Sequence, residues 1–145
     1  MRLALLSDIH GNLAALEAVL ADVAAFGVDG LWLLGDFAAM GAHPGQVLER
    51  IAALPNARFV RGNTDRYAAS GARPGIEPGD TVPRRIVPLW ESFAWTQGFV
   101  VGAGWQAWLE ALPLDFTETF ANGQRALCVH AAPGTDDGDG MRPGL

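Results

Sequence analysis

Five polar residues at the ends of apolar runs carry most of the chemistry this sequence offers: Asp8, His10, Asp36, Asn63 and His130. Carboxylate oxygen, imidazole nitrogen and amide oxygen are the donor set of borderline-hard divalent metals such as Mn²⁺, Fe²⁺ or Zn²⁺. Asp8 and His10 are two apart, and an extended turn with that spacing lets both side chains point to one side. Asp36, at the end of a neighbouring run, could bridge two ions, with Asn63 and His130 completing the second. Each ion would then have three protein ligands and open positions for water and substrate, as a catalytic site requires. Taken singly, each residue has an ordinary explanation: a helix cap, a turn former, a surface histidine. Taken together, the ordinary explanations need five unrelated polar placements at one sheet edge.

The elements that must position these residues follow from the apolar pattern. Leu3 to Leu6 is a strand stopping in the polar turn Ser7-Asp8-Ile9-His10-Gly11-Asn12. From Leu13, apolar residues recur at Leu16, Val19, Leu20 and Val23, the spacing of an amphipathic helix, with Asn12 as its cap and Gly27 as its stop. Leu31 to Leu34 is a second strand, ending at Gly35-Asp36. Pro44 opens a second helix with Val47, Leu48 and Ile51 inward. Arg58 to Val60 is a third strand, ending at Arg61-Gly62-Asn63-Thr64-Asp65. Buried strands alternating with helices predict a parallel sheet, whose ligands bind beyond the strands' carboxyl ends. All three polar turns fall there.

Residues 70–88 carry four prolines and three glycines and read as an irregular loop. Leu89 to Val101 and Trp105 to Leu112 read as helices, whose tryptophans Trp90, Trp95, Trp105 and Trp108 suit a core or lid. Leu114 to Phe120, the turn Asn122-Gly123, and Arg125 to Val129 read as a β-hairpin ending at His130. Gly134 to Leu145 is Gly-, Asp- and Pro-rich and reads as a flexible tail, with Asp136, Asp137 and Asp139 solvated. Gly102-Ala103-Gly104-Trp105-Gln106-Ala107 fits a dinucleotide-binding fingerprint, but its helix is short and Trp105 obstructs a pyrophosphate. His43, following Gly41-Ala42, reads as a loop surface histidine.

Composition narrows the class. The 145 residues suit one domain with a real core, and 50% hydrophobic against 18% charged residues excludes a disordered acidic spacer. Ten arginines face 16 acids, so a nucleic-acid backbone is an unfavourable partner. No apolar run reaches the ~18 residues of a membrane span, and a single cysteine, Cys128, forms no disulfide framework. The expected location is the cytoplasm.

Ser7-Asp8-Ile9-His10-Gly11-Asn12, Gly35-Asp36, Gly62-Asn63-Thr64-Asp65 and Val129-His130 together resemble the calcineurin-like metallophosphoesterases, in particular their small bacterial phosphodiesterase or phosphatase branch. Gly35 to Pro44 and Trp105 to Pro113 add to the likeness, which covers residues 1 to about 133. It implies an α/β, αββα sandwich over 1–133, and two divalent ions, Mn²⁺ or alternatively Fe²⁺ or Zn²⁺. It also implies hydrolysis of phosphomonoesters or phosphodiesters by a hydroxide bridging those ions. Asp8 and His10 would hold the first ion, Asn63 and His130 the second, and Asp36 both. Asp36 and Asn63 would be catalytic, and Asn63 and Thr64 would bind a small phosphoester substrate.

Two departures temper this expectation. Thr64 stands where the family pattern has histidine; its hydroxyl can donate to a phosphate oxygen but is no general acid near neutral pH. The family's G-H-x-H motif is absent, so the fold is expected to be C-terminally truncated, with self-association through the face left by the missing strands. The alternative is a truncated homologue, weak or inactive, that binds a metal or a protein partner.

Overall fold

The computed structural model of the chain describes residues 1–73 and 81–138. Strands β1 (Leu3–Leu6), β2 (Gly30–Leu33) and β3 (Ala57–Phe59) pair in parallel in that spatial order. The register sets Leu3 beside Gly30 and Leu31 beside Ala57, so β2 and β3 each start one residue before the apolar run suggests. Leu31, Trp32 and Leu33 are all buried because both faces of the sheet are covered.

Helices α1 (Leu13–Phe26) and α2 (Pro44–Ala52) form the two crossovers. Asn12 caps α1 by accepting the Ala15 N–H at 3.1 Å, and Gly27 closes it in the left-handed region. Leu16 and Leu20 of α1 and Val47, Leu48 and Ile51 of α2 join Leu31, Leu33 and Phe37 in one core. The turn after β3 continues directly into α3 (Asn63–Ser70), a helix the polar composition there did not suggest. It packs on α4 (Val87–Gly102) and α5 (Gln106–Glu110), whose Val100 and Leu109 reach the same core.

The loop expected over residues 70–88 ends early. Arg84–Ile86 form a 3-10 turn and α4 starts at Val87, with proline in its first turn, where no N–H is required. Residues 74–80 of that expectation lie outside the described residues. Because Phe99 to Val101 belong to α4, the glycine-rich fingerprint follows a helix and not a strand, which removes its dinucleotide reading. Trp105 and Trp108 meet each other edge-to-face and pack against the core, whereas Trp95 is 53% exposed and belongs to no core.

On the sheet's other face lies the antiparallel hairpin of β4 (Asp115–Thr119) and β5 (Arg125–Val129). Phe116 meets Trp32 edge-on at 5.3 Å, and the Arg58 guanidinium lies over Phe116 while pairing with Glu118. Helices, parallel sheet and hairpin thus stack as α/β layers. β1 forms one edge of its sheet, with Leu5 largely exposed, as is Leu127 of β5. Among the described residues no helix is long and apolar enough to cross a membrane.

Candidate metal centre

The loops after β1, β2, β3 and β5 meet at the carboxyl edge of the parallel sheet. Backbone bonds lace the first two together: Asp8 N–H to Gly35 O, His10 N–H to Asp36 O and Gly11 N–H to Phe37 O. Asp8, His10 and Asp36 all have positive φ (57°, 48° and 61°), a region that few side chains enter without support. The expected extended turn is therefore corrected. Asp8 and His10 converge through left-handed backbone, held there by the rungs to the β2 loop.

Gly35 and Gly62 let the β2 and β3 loops touch. A Cβ on Gly62 would lie 2.1 Å from Asp36 Oδ1, and one on Gly35 would lie 2.5 Å from Gly62 N. Asp65, fully buried, ties this junction with its carboxylate. It accepts N–H bonds from Asp36 (2.8 Å), Phe37 (2.8 Å) and Gly62 (3.0 Å). Burial pushes its carboxyl up to about 7 against the pull of those three bonds, with the neighbouring Asp36 charge adding to the push.

Asp36 sits at the centre, 4% exposed, with its two oxygens turned to different partners. Oδ2 lies 3.6 Å from His10 Nε2, which is also 3.6 Å from Asp8 Oδ1. One ligand atom from each of Asp8, His10 and Asp36 falls within a 4.8 Å span. Oδ1 lies 3.6 Å from His130 Nε2 and accepts the Thr64 N–H at 3.0 Å. His130 Nε2 in turn lies 3.2 Å from Asn63 Oδ1. The structure thus brings all five expected residues together, in two groups that share Asp36.

Thr64 stands at the same junction, its N–H bonded to Asp36. It is 5% exposed, and among the described residues its enclosed hydroxyl has no partner. His43 is exposed and lines a shallow depression with Asp8, His10, Asn12 and Met40.

A second correction concerns the tail. Asp136, expected in solvent, is 5% exposed and paired with Arg61 Nε at 2.9 Å and Arg66 Nε at 3.0 Å. Two guanidinium groups compensate the cost of burying its charge. Asp137 accepts the Tyr67 hydroxyl and the Arg66 Nη2. The Tyr67 bond holds the Asp137 carboxyl below its usual range, while burial and that same carboxylate push the phenol up. Asp139 and the rest of the expected tail lie outside the described residues.

The donor set fits a divalent cation on two observations. His130 Nδ1 lies 2.6 Å from the Leu34 carbonyl, an acceptor only, so Nδ1 carries the proton and the Nε2 lone pair faces Asp36 and Asn63. Among the described residues, Asp8 Oδ1 and Asp36 Oδ2 face only the His10 ring, at 3.6 Å and so too far for hydrogen bonds, while Ser7 and Thr64 donate to the other oxygen of each carboxylate. Opposed acceptors leave a position that a cation satisfies.

A family model for the calcineurin-like phosphoesterase superfamily domain matches residues 1–139. The uncharacterized protein MJ0912 of Methanocaldococcus jannaschii is 44% identical over 136 residues, 90% of this chain and 49% of that protein. The solved metallophosphoesterase from Sphaerobacter thermophilus superposes with a TM-score of 0.61 at 33% identity, over 81% of this chain and 44% of that one. The fold is also that of the hypothetical protein PH1004 from Pyrococcus horikoshii OT3. There the TM-score is 0.76 at 21% identity, over 99% of this chain and 60% of that one. The chain thus spans about half the length of the relatives it matches.

Proposed function

Because the chain belongs to the calcineurin-like phosphoesterase superfamily, we propose that its ligand-lined edge serves metal-dependent hydrolysis of a small phosphomonoester or phosphodiester. The single observation that carries this reading is the division of Asp36, whose Oδ2 faces the Asp8–His10 pair and whose Oδ1 faces His130. A pair of divalent ions, when bound, supplies an activated water and neutralises phosphoryl charge. Mn²⁺ is the ion we propose, with Fe²⁺ or Zn²⁺ able to use the same donors.

Each side chain has a part. Asp8, His10 and Asp36 form the first donor group, and Asp36, Asn63 and His130 the second. The proton on His130 Nδ1, held by Leu34 O, keeps Nε2 free for the site. Asn63, half-buried, is the proposed contact for the substrate's phosphate. With the Thr64 hydroxyl enclosed, no proton donor stands in the position of the family's histidine. Esters whose leaving groups need no protonation are therefore the best substrates.

The test compares bis(p-nitrophenyl) phosphate with a simple alkyl phosphate in excess Mn²⁺, using wild type and Asp36→Ala. We expect slow turnover of the aryl diester by wild type and none by Asp36→Ala. Equal turnover by both proteins removes Asp36 from its role, and fast turnover of the alkyl ester shows that a proton donor is present after all. Exposed Leu5 and Leu127 favour a second reading, a homologue that binds metal or a protein without hydrolysis. Mn²⁺ binding with no turnover of either ester would establish it.

A further inference from the structure

Asn63 and His130 come from distant parts of the chain, and each stands where regular pairing has just ended. The last rung of the β4–β5 ladder sets Asp115 beside Val129, so His130 is the first residue beyond it. β3 ends at Phe59, and Asn63 opens α3 after the turn that follows. Yet Asn63 Oδ1 and His130 Nε2 meet at 3.2 Å. That spacing requires a tie between the two segments.

Toward the β2 loop, the Asn63 turn is held by Asp65 and Asp36, which accept the N–H groups of Gly62 and Thr64. Toward the segment after His130, the corresponding carboxylate is Asp136. Arg61 Nε donates to its Oδ2 at 2.9 Å, and Arg66 reaches its Oδ1 from Nε and from Nη2, each at 3.0 Å. Arg61 and Arg66 bracket residues 62–65, so one carboxylate clasps both ends of the turn that presents Asn63.

The same carboxylate anchors the His130 side. Between His130 and Asp136, Ala132 and Thr135 bond each other through both backbone groups and fold the stretch into a compact turn. Asp136, at its end, is 5% exposed. The two arginines are themselves anchored: the Arg61 N–H donates to the Pro113 carbonyl at 2.8 Å, and the Arg66 guanidinium lies over the Tyr67 ring. An enclosed carboxylate keeps its charge only while its cationic partners stay in contact, so this clasp resists the drift that an exposed pair allows.

We infer that Asp136 is a positioning residue for the Asn63–His130 half of the candidate metal centre: clasped by Arg61 and Arg66, it sets the spacing of the two segments that carry those donors. The consequence for metal binding rests on the proposed function, whereas the spacing itself does not.

The experiment has two arms, on wild type, Asp136→Asn, Arg61→Gln and Arg58→Gln. Arg61→Gln removes one arm of the clasp and keeps the test decisive should Asp136→Asn fail to fold. Arg58→Gln is the control, because it breaks the Glu118 ion pair between sheet and hairpin. In metal-free protein, NMR cross-relaxation between the His130 ring and the Asn63 side chain reads their proximity. Wild type and Arg58→Gln should show it, and the clasp variants should lose or weaken it. In the second arm, Mn²⁺ calorimetry should show one binding event weakened about tenfold in the clasp variants, the lower end for loss of a group supporting a ligand. Asn63→Ala should weaken that same event and Asp8→Ala the other, which the clasp variants leave within twofold. Unchanged cross-relaxation in a folded clasp variant overturns the inference. Equal weakening of both events does so too, as does an effect of Arg58→Gln as large as that of Asp136→Asn. Absence of Mn²⁺ binding by wild type would overturn the proposed function, while the NMR arm still decides the spacing.

Discussion

The two halves of the candidate metal centre are built by opposite means. Asp8 and His10 lie on the edge-strand side, with side chains 58% and 25% exposed, and backbone places them. Their left-handed conformations are held by rungs to the β2 loop, and His10 Nδ1 has no partner. Asn63 and His130 lie on the enclosed side, and contacts from elsewhere in the chain place them: the Leu34 carbonyl holds the His130 ring, whose Nε2 lies 3.2 Å from Asn63 Oδ1. The difference teaches where tolerance lies. The first half depends on a few torsion angles in two neighbouring loops and the rungs between them, and the second on contacts between segments more distant in sequence.

The largest effect is expected where the halves join. Asp65→Ala would leave the N–H groups of Asp36, Phe37 and Gly62 buried without their acceptor. At ~1–3 kcal/mol for each such group, a loss of roughly 3 kcal/mol or more is expected in urea unfolding. Mn²⁺ binding should suffer in both halves, and a loss below about 1 kcal/mol would show that the junction does not depend on this carboxylate.

A smaller effect sharpens the contrast from the exposed side. Asn12→Ala removes the acceptor for Ala15 N–H at the start of α1, next to the Asp8 loop, and should cost ~1 kcal/mol. It should leave the Asn63 side-chain NMR signals in place. If those signals move, the halves are coupled more tightly than their separate supports imply.

The smallest effect is a pH dependence confined to the enclosed half. Asp137 has its carboxyl held below the ordinary 3.8 by the Tyr67 hydroxyl. A lowered carboxylate contributes stability that is present above the unfolded value and lost as pH falls through the folded one. Wild type should therefore lose slightly more stability below about pH 4 than Asp137→Asn, with the two curves parallel above it. Divergence at pH 6–8 would mean that another group is responsible.

Much of the fold was legible because its signals are local. Buried runs mark β1 and β2, the Leu13–Val23 spacing marks α1, and Asn122-Gly123 between two strands marks the hairpin. The five candidate residues that the structure gathers at one sheet edge were legible as polar breaks at strand ends. What escaped depends on distance. α3 was hidden because Gly62-Asn63-Thr64-Asp65 reads as a turn, although an acid three residues after a cap is a helix-start signal. The left-handed torsions of Asp8 and His10 come from rungs to the β2 loop. Asp136 read as solvated because its partners Arg61 and Arg66 lie 75 and 70 residues away. An acid-rich terminal composition carries no trace of two waiting guanidinium groups.

His130 reaches its place from far along the chain, and this separates the halves in time as well as in space. Asp8, His10 and Asp36 all fall within the first 36 residues, in a strand–helix–strand unit with local contacts. The enclosed half needs His130 carried to the carbonyl of Leu34, a closure of 96 residues. Entropy alone distinguishes that closure from the 28 residues between Asp8 and Asp36 (36 − 8) by only about 1 kcal/mol. Order of assembly distinguishes them more sharply, since non-local pairings reward the chain only after intervening elements have docked. The exposed half is complete once β1 and β2 pair, while the enclosed half does not exist until β5 has found the opposite face of the sheet.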